Sequence, residues 1–292
     1  MSETTKNSSL EGMTDRNGNE IKFLDIHRAF AETPMGKALD TKPRYDRYKP
    51  ESIPPPEWER LLGRDVNNLK HMPLTFELAQ SFVKNMTTTD TPTDGSDVRF
   101  SASEIQIILL TAIVHDWAEA DPSLGDISYD LKLDEHEKKE SQILILMLRN
   151  QLGGILSLET LDTVHKTATD KTGKLGEAFN AIERIGYLKT ALKAWQEQEV
   201  DNPYRSTDSD SLAWLCSNVL ANQIPALLKL LPRYEGVRRA LDASSPIINR
   251  AFENITDSIF NHYPEADREA QRKKYLDAKK AWDSFRNQQP KS

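Results

Sequence analysis

From about residue 57 onward, apolar side chains recur at three- and four-residue spacing rather than alternating, which predicts helices and leaves few strand-like runs. Trp58, Leu61, Leu62, Leu69, Leu74, Leu78 and Phe82 predict a helix over 57–86, kinked or broken at Pro73. Ser101 and Glu104 have the spacing of a capping box, ahead of Ile105, Ile108, Leu109, Ala112 and Ile113. Asp134 with Glu137 signals the start of a helix through Ile143, Leu144, Met147 and Leu148, which Gly153-Gly154 ends. A shorter helix over 157–168 comes next, then a long one through Phe179, Ile182, Ile185, Leu188, Leu192 and Trp195, with Glu183 at its apolar edge. The polar segment DNPYRSTDSDS (201–211) precedes three further amphipathic helices, over about 211–231, 245–262 and 265–286. The fold class read from this pattern is all-α.

The N-terminal part reads differently. Residues 1–20 are polar and read as disordered, and six prolines between Thr33 and Pro56 predict an extended arm. The expected organisation is a tail and arm over 1–56, a helical core domain over 57–200, and a helical extension over 201–292 packed on that core.

Composition narrows the function classes. A chain of 292 residues builds a core without disulfide or metal staples. Its 38 basic against 45 acidic residues give a net charge of −7, which argues against binding a nucleic-acid polymer. An anionic substrate would have to be met locally. The single cysteine, Cys216, leaves no intramolecular disulfide and no cysteine zinc site, which fits a reducing, cytoplasmic compartment. The polar first residues carry no signal-peptide pattern, and no apolar run approaches the roughly 20 residues a bilayer requires, so no membrane partner is expected. Only 12 glycines, with no Gly-x-Gly-x-x-Gly or Walker-type loop, weaken the case for a dinucleotide or P-loop site.

The chemistry concentrates in LLTAIVHDWAEADPSLGDI (109–127), which places His115 and Asp116 at the end of an apolar helix. Adjacent side chains on a helix diverge by about 100°, so the two converge on one ion only at the helix end or at a break. Glu119 follows four residues after His115 and three after Asp116, on the side of both. Imidazole beside carboxylate suits Mn, Fe, Co, Ni or Zn better than Mg. Two donors hold a metal weakly, and His71 and Glu183 are the candidates near apolar faces to complete the set.

His71, the His115-Asp116 doublet and a later carboxylate resemble the ligand pattern of the HD-domain metal-dependent phosphohydrolases. HDWAEADPSLGDI is similar to the HD-x-x-E…GD pattern of the branch that contains the 5′-deoxynucleotidases, with Glu119 at the Glu and Gly125-Asp126 at the Gly-Asp. Arg64 stands seven residues before His71, where that branch carries a substrate-binding arginine, and Glu183 occupies the place of the fourth ligand. The likeness spans about residues 57–195. It implies an HD-type helical bundle that holds a divalent metal (Mn, Co, Fe, Ni, Zn or Mg) through His71, His115, Asp116 and Glu183. Arg64 would hold the phosphate, Glu119 would orient water or transfer a proton, and Asp126 would assist the leaving oxygen. The implied substrate is a small phosphorylated metabolite, foremost a (deoxy)nucleoside 5′-monophosphate. Hydrolysis of a nucleoside triphosphate or an alarmone, and a non-catalytic HD scaffold that binds nucleotide or protein, stay open as alternatives. Related phosphohydrolases are often dimers, so a homodimer is also expected.

Overall fold

The computed structural model describes residues 11–51, 53–87, 98–124, 133–201 and 205–288, with the backbone alone for 198–201 and 205–210. The all-α expectation holds: the one sheet among the described residues is a short antiparallel hairpin of β1 (Gly12–Thr14) and β2 (Glu20–Lys22). No helix among these residues is long and apolar enough to cross a membrane.

The N-terminal part departs from its reading. Residues 1–10 lie outside the described residues, and 11–20, expected to be disordered, contain β1 and its turn. The Asp15 carboxylate accepts from the Asn17 and Asn19 amides at 2.8 and 2.7 Å, closing the turn that Gly18 completes at φ +85°. Helix α1 (Phe23–Ala31) follows. The expected extended arm holds α2 (Pro34–Asp40), where the Thr33 hydroxyl caps the Gly36 amide at 3.1 Å and Pro34 opens the first turn. Gly36 is required there, because a Cβ would sit 2.3 Å from the Phe30 carbonyl oxygen.

The helix expected over 57–86 is two helices, α3 (Pro55–Leu62) and α4 (Asn68–Val83). The break lies at 63–67, not at Pro73. Gly63 adopts φ +63°, ψ −133°, a conformation open only to glycine, and Asn67 caps the new helix by accepting the Lys70 amide at 2.8 Å. Pro73 is tolerated inside α4 at the loss of one helical hydrogen bond. The buried stripe of α4 is Asn68, His71, Met72, Thr75, Phe76, Ala79, Phe82 and Val83 rather than the Leu69–Leu74–Leu78 side.

Next come α5 (Ala102–Val114), α6 (Asp134–Leu152), α7 (Leu158–Thr169), α8 (Lys174–Asp201), α9 (Arg205–Leu230), α10 (Glu235–Asn254) and α11 (Glu265–Gln288). The Ser101–Glu104 capping box at the head of α5 forms as expected. Nine of the ten residues from Ile105 to Val114 are buried, so α5 runs through the core.

The described residues divide into two compact units. The first draws on 11–43, 67–87, 99–124 and 133–180, the second on 44–51, 53–66, 98, 181–201 and 205–288. The division falls inside α8 rather than at the polar segment 201–211. In the first unit α5 is the centre, with α4, α7 and α1 packed on it and α2 against α4. In the second, α9 packs on α10 and α11, and Trp282 of α11 donates to Asn249 of α10 at 2.7 Å.

The second unit carries a buried charge. Asp65 is fully buried and lies 3.0 Å from the Arg44 guanidinium, and its Oδ2 accepts from the Tyr45 and Thr190 hydroxyls at 2.9 and 2.6 Å. Burial, then the Asp65 charge, pushes the Tyr45 phenol well above its usual range. Tyr45 sits at φ +62°, which costs roughly 1–2 kcal/mol and persists because Asp65 anchors it.

Two predictions follow from the packing. Asp65→Ala removes a fully buried carboxylate from beside the Arg44 guanidinium and from two hydroxyl donors and should lower urea-unfolding stability by about 3–5 kcal/mol, whereas a loss under about 1 kcal/mol would show that the pair is not held. In the first unit, burial, with Arg28 adding to it, lowers the His27 pKa, and its Nδ1 has no hydrogen-bond partner. The unfolded chain then takes up a proton that the folded chain refuses, so this contribution is whole above about pH 6.5 and is lost as pH falls toward the folded pKa. His27→Gln should flatten the decline of thermal stability between about pH 7 and 5, and an unchanged profile would contradict the assignment.

Candidate metal centre

Helix α5 ends on the two residues that carry the chemistry. His115 keeps helical angles (φ −59°, ψ −35°), but Asp116 turns to φ −92°, ψ 4°, and a 3₁₀ turn, Trp117–Ala120, follows. The helix therefore stops between neighbouring side chains that would otherwise diverge. His115 Nε2 and Asp116 Oδ1 come to 3.3 Å. Stacking of Trp117 on Phe30 at 4.2 Å and 10° anchors the turn that redirects the chain.

The third member arrives on α4. His71 sits one turn past the Asn67 cap, its ring 5.3 Å from that of His115 at 68°. One donor atom from each of His71, His115 and Asp116 lies within 4.8 Å of the others, and all three residues are buried. Two ligands of one ion at about 2.1 Å can be no more than about 4.2 Å apart, and the His115–Asp116 pair at 3.3 Å meets that limit. Phe179 closes one side, with its ring 5.2 Å from that of His115.

The hydrogen bonds around the imidazoles fit the same purpose. His115 Nδ1 lies 3.2 Å from the Ala112 carbonyl, a contact that works only with the proton on Nδ1 and so directs the Nε2 lone pair toward Asp116. The Thr75 hydroxyl is 3.2 Å from the His71 carbonyl and 3.0 Å from His71 Nε2. When its one proton goes to the carbonyl, it accepts from Nε2–H and the ring offers Nδ1 as the donor to a metal. Two imidazoles and a carboxylate, buried together, form a donor set for a divalent ion of borderline hardness.

Glu119 is half-buried on the 3₁₀ turn and lies outside the cluster of three. Its N–H donates to the Asp116 carbonyl at 3.0 Å, its carboxylate Oε2 accepts from Asn68 Nδ2, and its carbonyl accepts from Lys42 Nζ. Arg64 is exposed on the 3₁₀ turn Gly63–Val66 and, like the half-buried Glu183 of α8, belongs to the second unit. Gly125 and Asp126 lie outside the described residues. His136 caps α6 by accepting the Leu133 amide at 3.1 Å, and His165 Nε2 meets the Ser141 carbonyl and hydroxyl, both at 2.9 Å. Thr75, Asn68 and Lys42 had no place in the sequence reading. Thr75 and Asn68 stand four after and three before His71, on its face of the helix, and that was the available signal.

No family model, curated protein or solved structure matches the chain.

Purified protein exposed to Mn, Co or Zn should retain about one equivalent of metal, and His115→Ala or Asp116→Ala should strip most of it. Thr75→Val should weaken binding by about 10–100-fold while the fold persists. Metal analysis after gel filtration reads both, and a Thr75→Val affinity equal to that of the parent would contradict the assigned imidazole orientation.

Proposed function

We propose that the chain is a metal-dependent phosphohydrolase of the HD type. One observation carries the reading: His71, His115 and Asp116 converge while buried, at a helix break that also presents Glu119. The HD-x-x-E…GD resemblance, found over the same residues, supports it. The three side chains would hold a divalent ion, whose chemistry when bound is to polarise a phosphoryl oxygen and to acidify water near it.

The protein's own groups do the rest. Asp116 would offset one of the ion's two positive charges and the two neutral imidazoles would complete its donor set, among buried groups where electrostatic contacts are strengthened. Glu119 lies outside the metal cluster and donates its own N–H to the Asp116 carbonyl; the HD-x-x-E resemblance supports giving it the role of taking a proton from water and returning one to the leaving oxygen. A chain of net charge −7 offers no broad attraction for polyanions, which suits a small substrate captured by a local cation. The substrate proposed is a (deoxy)nucleoside 5′-monophosphate. Its basis is the resemblance, as it is for Glu183 as fourth ligand, Arg64 as phosphate anchor and Asp126 as an aid to the leaving oxygen.

A panel of phosphate esters assayed with Mn, Co, Zn and Mg tests the proposal. Release of phosphate should require metal and vanish in Asp116→Ala. Glu119→Gln should keep its metal and lose about 10²–10⁴-fold in turnover. A protein that binds no metal and releases no phosphate from any ester would overturn the reading, and full turnover in Glu119→Gln would remove Glu119 from the mechanism.

A further inference from the structure

The support beneath Glu119 is unusual because it comes from two directions that are themselves tied together. Asn68 is the first residue of α4 and is 4% exposed. Its side-chain amide reaches Glu119 Oε2, although 51 residues separate the two. On the other side Lys42 Nζ donates to the Glu119 carbonyl. The two supports share an anchor: the Asn68 N–H donates to the Lys42 carbonyl at 3.3 Å, and Pro43 and Asn67 form an antiparallel bridge. Asn67 adds two bonds to Asp40, to its carbonyl at 2.9 Å and its carboxylate at 3.0 Å, while capping α4. The carboxylate and the peptide oxygen of one residue are thus gripped by a braced strand–helix corner.

A half-buried carboxylate on a short 3₁₀ turn has several rotamers of similar energy, and a neutral amide selects one of them. Fixing it to within about 0.5 Å is what proton transfer to a nearby reacting group requires. We propose that Asn68 is the positioning residue of Glu119, its amide holding the carboxylate in register with the His71–His115–Asp116 cluster and Lys42 bracing the backbone beneath. Asn68 acts through Glu119 and touches no reacting atom. The role assigned to Glu119 rests on the phosphohydrolase reading, whereas the tie itself is open to measurement without turnover.

The test has two arms. In the first, the Asn68 side-chain amide pair is assigned by nuclear magnetic resonance through its disappearance in Asn68→Asp. It should shift upfield in Glu119→Gln, where the acceptor loses its charge, and further in Glu119→Ala; a pair that responds to neither overturns the proposal. In the second, kcat and KM are measured on the manganese-loaded protein with a deoxynucleoside 5′-monophosphate. Asn68→Ala, or Asn68→Ser should the alanine variant not fold, should lower kcat about 10–100-fold with bound metal and KM unchanged. The same change placed in Glu119→Gln should lower kcat less than about threefold further, because the two act as one unit. Equal losses in both backgrounds, or loss of metal with Asn68, would show a merely structural role and overturn the proposal. If the parent protein binds metal but releases no phosphate, the hydrolase reading fails, and the resonance arm alone then upholds or overturns the Asn68–Glu119 tie.

Discussion

Burying a carboxylate beside two imidazoles is expensive unless a cation balances it, and the first unit is arranged around that constraint. Asp116 is held at the end of the core helix α5, where a charge has little water around it. The backbone makes the arrangement feasible by leaving the α-helix at that residue, so that side chains adjacent in sequence become neighbours around one point. A continuous helix would have sent one of the pair away by about 100°.

The other half of the centre depends on where α4 starts. Gly63 ends α3, and Asn67 starts α4 one turn before His71, so the phase of the helix puts His71, Thr75 and Asn68 on its buried stripe. Each has a separate task there: a donor atom, its orientation, and the hold on Glu119. The asparagine cap that starts α4 is thus as much a part of the centre as its ligands are.

Much of this was legible in local signals. The Ser101–Glu104 capping box, the apolar run that follows it and the Gly153-Gly154 stop act within a few residues, and each formed as read. The prolines were harder, because the same residue breaks a helix interior and favours a helix start; Pro34 and Pro55 do the latter, turning the expected arm into α2 and the head of α3. Pro73 drew the break to itself, although Gly63 and Asn67 held the stronger signals. His71, His115 and Asp116 could be named as a set from residue type and helix position. Lys42 could not, since its contact with Glu119 spans 77 residues and exists only through tertiary packing.

The central claim is that these three side chains bind a metal through two imidazole nitrogens and a carboxylate oxygen. X-ray absorption on the zinc-loaded protein reads that set directly. The account predicts light-atom ligands at about 2.0–2.2 Å with the outer-shell pattern of two imidazoles, falling to one in His71→Ala. A shell of oxygen ligands with no imidazole signature, or one that His71→Ala leaves unaltered, would contradict it.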